Sequence, residues 1–298
     1  LYYVLMHGWM GIFGEGDRAV RALSGLISLV CLPLIWGAGR RVGGRRVAEC
    51  SVIALALSPF FLRYGSEARM YSLVMVEVLV GFLLVWDALE RPAWWRYLGI
   101  AVVTSALLWT HYWSFWLIGA AGVLVVVHGW RHRADVDRWW RLPAVGVLGS
   151  AAVGAATFVP WLSTLLYQSE HTGTPWAPSF RPTTLVFTSL VDFAGGPYSE
   201  PQILMLVLVL LIFIGLTAVA IDSNRLEVDL HVRPDARRVL LIVGGTVALA
   251  SVAGAATGTA FATRYASFYF PFVMIIVGLG LSRFLPGRVH DVVWIAVV

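Results

Sequence analysis

The chain has 298 residues, of which 59% are hydrophobic and 13% charged, with a formal net charge of +5. That apolar share exceeds what a soluble core uses, and it falls in separate runs of about 16–21 residues, the length that crosses a bilayer core. The positive balance comes entirely from arginines scattered between the apolar runs, which excludes a nucleic-acid reader with its charge gathered on one face.

In chain order, an aromatic opening with Tyr2, Tyr3, His7 and Trp9 leads past Glu15 and Asp17, which read as surface residues, to the first complete span. Spans are expected at 19–39, 47–62, 70–86, 95–110, 112–128, 143–163, 202–221, 239–257 and 266–285, about nine in all, and a tenth begins near 291. Each must be helical, because an open strand in lipid leaves its backbone groups without partners. The fold class is therefore all-α, a polytopic transmembrane helix bundle, taken as one domain over 1–298. Cys31 and Cys50 lie in or at the ends of spans and read as packing residues, not as a disulfide or a metal site. The chain begins inside an aromatic stretch and stops at Val298 inside an apolar run, so it reads as a piece of a longer protein.

Orientation follows from the connecting segments. One alternate set contains Arg40, Arg41, Arg45 and Arg46; Arg91 and Arg96; Arg131, Arg133, Arg138 and Arg141; Arg225, Arg233, Arg237 and Arg238; Arg283 and Arg288. The other contains only Arg18, Arg21, Arg63, Arg69, Arg181 and Arg264, so the first set is expected to face the cytoplasm of a multi-pass plasma-membrane protein. The main extracytoplasmic loop is 164–201, with Gln168, Glu170, His171, Trp176, Arg181 and Asp192 among the breakers Pro175, Pro178, Pro182, Gly195, Gly196 and Pro197. The 222–238 segment mixes acids with arginines and reads as a solvated connector.

Chemistry-bearing residues concentrate at the external junctions. Residues 57–72 place Arg63, Arg69, Glu67, Tyr64 and Tyr71 between consecutive spans, where charge needs an interface or a polar cavity. Ser66 is expected to cap the helix that follows, with Glu67 at its positive end and Arg69 in its first turn, an arrangement that would receive a phosphate. The plainer reading has Arg69 snorkelling or pairing with Glu67, although residues two apart do not share a helix face. A second cluster, 257–265, sets Arg264 beside Tyr265, either as a further phosphate contact and lipid entrance or as an interfacial anchor. His111, in the turn Thr110-His111-Tyr112-Trp113, reads either as a phosphate ligand or proton shuttle or as a structural aromatic-interface residue. Glu77 sits inside its span and is the best argument for a transporter, yet no other span has a charge to partner it. His111 and His128 lie at opposite ends of one span, too far apart to share a haem, and no cofactor is evident. The sequence does not speak to a divalent metal.

Several of these segments together resemble the GT-C membrane glycosyltransferases, the group that holds the dolichyl-phosphate-mannose protein mannosyltransferases and the bacterial lipid A sugar transferases. They are Leu1 to Trp9; Phe13-Gly14 with Arg18 and Arg21; Ser58-Pro59 followed by Glu67-Ala68-Arg69-Met70-Tyr71-Ser72; Thr110-His111-Tyr112; and Arg264-Tyr265. The resemblance implies transfer of a sugar, mannose or similar, from a polyprenyl-phosphate donor to a hydroxyl of an acceptor glycan, lipid or protein on the extracytoplasmic face. By similarity Arg69, Arg264 and His111 would bind the donor phosphate, and Glu67, Tyr71 and Tyr265 would line the pocket. The group's catalytic acid lies upstream of the matching segments, so the general base is expected outside this chain, and the chain alone is expected to be inactive. A transporter or flippase of lipid-linked sugars is the alternative.

Overall fold

The computed structural model describes residues 1–135, 137–171, 182–196, 201–222, 225–257 and 261–284. In chain order the helices are α1 (Tyr2–Phe13), α2 (Asp17–Ala56), α3 (Pro59–Gly65), α4 (Tyr71–Glu90), α5 (Trp94–Thr110), α6 (Ser114–Arg131), α7 (Pro143–Ala156), α8 (Leu162–His171), α9 (Pro182–Phe193), α10 (Pro201–Thr217), α11 (Pro234–Thr257) and α12 (Phe270–Ser282). Strands β1 (Ala218–Asp222) and β2 (Arg225–Val228) form an antiparallel pair between α10 and α11. The fold is an all-α membrane helix bundle with this one small hairpin.

Each of the nine expected spans has helix in it. Among the described residues four helices are long and apolar enough to cross a membrane, α2, α4, α6 and α11, and the pair Pro143–Ala156 and Val159–Gln168, bent by 41°, makes up to five. The helix α2 accounts for two expected spans, because it doubles back at Gly43 and Gly44, the latter with φ 80°. A methyl group on Gly39 would lie 2.9 Å from the Cα of Ala48, whereas in a straight helix those residues would be about 13 Å apart. Arg40, Arg41, Arg45 and Arg46 thus sit at the tip of a helical hairpin. The segments α10 and α12 are shorter than the expected spans.

Three boundaries differ from expectation. The 202–221 run stays helical only to Thr217, because Val219 and Ile221 alternate with alanines and β-branched residues favour an extended backbone. The 47–62 run breaks after Ala56 and restarts as α3, with Pro59 in its first turn, where a missing N–H costs nothing. The 164–201 stretch is not all loop. Pro182 reads as a breaker but opens α9, whose Leu185, Ser189, Asp192 and Phe193 form a buried stripe at helical spacing. Gly195 and Gly196 then turn the chain with φ of 105° and 62°. Trp176, Arg181, Pro175, Pro178 and Pro197, the start of the 257–265 cluster at 258–260, Arg288 and the tenth span near 291 lie outside the described residues.

The core is built around α12, every residue of which is buried, as its uniformly apolar sequence requires. It packs chiefly on α2 and α10. Gly278 lets it meet the backbone of Ser51, where an added methyl group would come within 2.8 Å of the Ser51 Cα, and Gly280 faces the Leu211 carbonyl. Close backbone approach at small residues is how helices associate in lipid, where the hydrophobic effect does not separate them from their surroundings. Cys31 and Cys50 are free thiols inside this core.

The two ends of the bundle differ. At one, Arg41 donates to both oxygens of Asp87 at 2.7 and 2.8 Å, and Arg283 pairs with Asp235 at 2.6 Å. At the other, the start of α4, the α5–α6 turn and the segment before α12 come together around aromatic rings.

Candidate functional site

This second end gathers the residues that the sequence singles out. Between α3 and α4 the chain does not form the capped helix start expected of it. Ser66 ends α3, its hydroxyl donating to the carbonyls of Leu62 and Arg63, and α4 begins only at Tyr71. Glu67, Ala68 and Arg69 lie in a bend, where the objection from helix geometry no longer applies, and Arg69 Nε reaches Glu67 Oε1 at 3.3 Å. Both side chains are part-exposed, so the pair contributes little, about 0–1 kcal/mol, and holds Arg69 without committing it. The Ser24 hydroxyl donates to the Arg69 carbonyl at 3.5 Å and is itself bonded to the Tyr2 hydroxyl at 2.7 Å, so α1 and α2 brace the bend.

Tyr71 is the centre of the group. It is fully buried, and its hydroxyl has no hydrogen-bond partner among the described residues. Two guanidiniums act on it electrostatically from separate segments, Arg264 and Arg69. Arg69 approaches without hydrogen-bond alignment, and the Tyr71 hydroxyl, followed by Glu67, holds its pKa above the usual guanidinium value. Arg264 sits in the tight turn Thr263–Phe268 that leads into α12, with its guanidinium 5.6 Å from the Tyr265 ring centre.

His111 closes the group from the α5–α6 turn. Its ring lies 5.5 Å from Tyr265, 6.1 Å from Phe268 and 6.5 Å from Tyr71, centre to centre. Enclosure by these rings leaves it 4% exposed and pushes its pKa down to about 4, so it is neutral at physiological pH. A neutral imidazole binds a phosphate as a hydrogen-bond donor, not as a cation. Its Nδ1 has no partner among the described residues, and the same holds for the buried hydroxyls of Ser114, three residues on, and Ser267, beside Phe268. Buried polar atoms are almost always hydrogen-bonded, so these unsatisfied ones, set close together, make the group a candidate for a polar ligand.

Arg69, Arg264, His111, Glu67, Tyr71 and Tyr265 are thus brought to one end of the bundle and linked side chain to side chain. A neighbouring set escaped the sequence reading. Asp192 of α9, only 7% exposed, accepts from the Tyr64 hydroxyl at 3.2 Å and lies 3.5 Å from Arg63, while Tyr269 donates to Ser189 at 2.9 Å. Tyr64 packs edge-on to Tyr71 at 5.2 Å, so α9 supports the wall of the site. The signal for it was the spacing of Leu185, Ser189, Asp192 and Phe193, hidden by the breakers around it. Glu77 is buried deeper in α4, accepting from the Thr110 hydroxyl at 2.9 Å. Among the described residues no three His, Cys, Asp or Glu side chains gather as a metal site would need.

The family model of the dolichyl-phosphate-mannose-protein mannosyltransferases matches residues 1–163, more than half of the chain. The chain belongs to this family. It is therefore a membrane glycosyltransferase of the GT-C type, working between a lipid-linked sugar donor and an acceptor in a membrane. That decides against the transporter expected as the alternative. The matched range takes in Glu67, Arg69, Tyr71 and His111, while Arg264 and Tyr265 lie beyond it. Searches among curated proteins and among solved structures gave no match.

Proposed function

We propose that this mannosyltransferase-family protein moves a sugar, mannose or similar, from a polyprenyl-phosphate donor to an acceptor hydroxyl, and that it does so on the extracytoplasmic face of the plasma membrane. The observation that carries the reading is the meeting of two arginines from distant segments at one end of the bundle, Arg69 at 3.3 Å from Glu67 and Arg264 over the Tyr265 ring at 5.6 Å, around the buried rings of Tyr71 and His111. When the bond between sugar and phosphate breaks, negative charge grows on the phosphate. Cationic donors already in position lower that barrier without reorganising. Arg69 and Arg264 hold the leaving phosphate, and neutral His111 offers it a further hydrogen bond. Glu67 sets the position of Arg69 and, with Tyr71 and Tyr265, shapes the sugar pocket. The acceptor is a glycan, lipid or protein hydroxyl. None of these residues serves as the general base, since Glu67 is engaged with Arg69 and Glu77 lies within the span, bonded to Thr110.

The membrane side rests on the arginines. Those at the hairpin tip and beside Asp87 belong to the densely basic set of connecting segments, and the positive-inside bias assigns that end to the cytoplasm. The test is sugar transfer in proteoliposomes with a polyprenyl-phosphate sugar donor, by the chain joined to the upstream segment that is expected to supply the general base. Arg69→Ala is expected to lower turnover about 100-fold, the scale for removing one preorganised charge-stabilising donor, with little change in thermal stability. Turnover within about threefold of the parent, in a variant that folds normally, would remove Arg69 from the phosphate site.

A further inference from the structure

The basic end of the bundle has a recess that the transfer reaction does not use. It is a cavity of about 460 Å³ between α4, α5, α6, α7 and α11, and none of the six site residues lines it. Its walls are apolar for most of its depth. Along α4 it runs from Val78 to Glu90 and along α6 from Leu117 to Arg131, about 18–21 Å at the rise of a helix. One leaflet, headgroups included, is about 20–22 Å deep. The recess therefore has the depth of one leaflet, and its charged lining residues gather at the Asp87 end.

The mouth is cationic. Arg131 and Arg238 line it beside His128 and His132, whose rings are 4.2 Å apart. Among the described residues neither arginine forms an ion pair. Arg238 lies over the Trp86 ring at 4.6 Å, and the carboxylate at the mouth, Glu90, accepts from the Trp86 indole at 2.7 Å and is turned onto it. Two guanidiniums that pair with no carboxylate among the described residues, set over a leaflet-deep apolar slot, match an anion carried on hydrocarbon chains.

We propose that this recess binds an anionic phospholipid of the leaflet at the Asp87 end, its phosphate held by Arg131 and Arg238 and an acyl chain lying along α4 and α6. The site is separate from the donor site and independent of the transfer reading, since it needs only that the chain spans a membrane. Its occupant fills a slot that would otherwise loosen the contact between the α4–α5–α7 group and the α6–α11 pair.

The full chain, purified in detergent and supplied with phosphatidylglycerol or phosphatidylcholine of equal chain length, should be weighed intact by native mass spectrometry. Phosphatidylglycerol is expected to be retained at least about fivefold more than phosphatidylcholine, and R131Q/R238Q to reduce its retention about 25-fold, at roughly fivefold for each arginine. A second variant keeps both arginines. Gly122 lines the recess and an added Cβ there meets nothing within 4 Å, so Gly122→Phe is expected to fold and to expel the lipid. Free glycerol phosphate is expected not to compete. Equal retention of the two lipids, indifference to R131Q/R238Q, competition by free glycerol phosphate, or recovery of a polyprenyl phosphate in place of phosphatidylglycerol would each overturn the proposal. Sugar transfer is expected to survive R131Q/R238Q, so failure here leaves the donor site untouched.

Discussion

Tyr71→Phe separates a ligand-binding hydroxyl from a structural one. The ring is fully buried against Tyr64 and His111, and phenylalanine keeps those contacts. The hydroxyl has no hydrogen-bond partner among the described residues, and leaving such a group buried costs about 1–3 kcal/mol. Arg69 lies near it without an aligned hydrogen bond and offsets part of that cost, so removing the hydroxyl should leave the stability of the ligand-free protein unchanged or raise it by up to about 1 kcal/mol, a melting-point rise of at most roughly 2 °C for a chain of this size. Function should move the other way. A hydrogen bond to a charged phosphate is worth about 1.5–3 kcal/mol, so kcat/KM for the donor should fall about 10- to 150-fold. The buried free thiols of Cys31 and Cys50 provide the stability assay, since a thiol-reactive dye reports their exposure on heating. Sugar transfer from a labelled polyprenyl-phosphate donor provides the other. Loss of stability with unchanged donor turnover would refute the reasoning, because it would show the hydroxyl satisfied within the protein and idle in the reaction.

Gly280→Ala should destabilise the bundle by about 2 kcal/mol or more, since its methyl group would collide with the Leu211 carbonyl where α10 crosses α12; the same dye assay would show it as an earlier melt. His111 should make the protein acid-sensitive. Its folded pKa, near 4, lies below the ordinary histidine value of 6.5, so the unfolded chain takes up a proton first, and stability falls as pH drops from 6.5 towards 4. Between pH 7 and 5 the loss should be about 2 kcal/mol in the parent and largely absent in His111→Phe, and a parent melting curve that does not respond to pH would show the imidazole solvated.

Much of the scaffold was legible because its signals are local. Apolar run length located a helix at each expected span, and the arginine-rich 40–46 segment marked a turn that Gly43 and Gly44 execute. What was misread also has local causes. Ser66 has the residue type of an N-cap, yet its hydroxyl is taken by the preceding turn of α3, which leaves Glu67 and Arg69 in a bend. Pro182 has the residue type of a breaker, yet at the first position of a helix it does no harm. At the candidate site, residue types and their common end of the bundle could be read from spacing and resemblance. The burial of His111 could not, since the rings around it come from positions 71, 265 and 268, and nothing within its own turn reports their approach.

The placement of Arg264 shows why the site depends on the middle of the bundle. The turn that holds it runs directly into α12, and α12 is clamped through Gly278 and Gly280 against α2 and α10. Arg69 is fixed by a different route, through the bend braced by Ser24 and Tyr2. The distance between the two guanidiniums is therefore set by helix crossings several turns away, at contacts that no side chain can loosen, because backbone meets backbone. A substitution that shifts α12 along α2 would move Arg264 relative to Arg69 without touching either. Catalysis that needs both charges on one phosphate should consequently be lost at smaller displacements than those that unfold the protein, and Gly278 is where such a variant is to be sought.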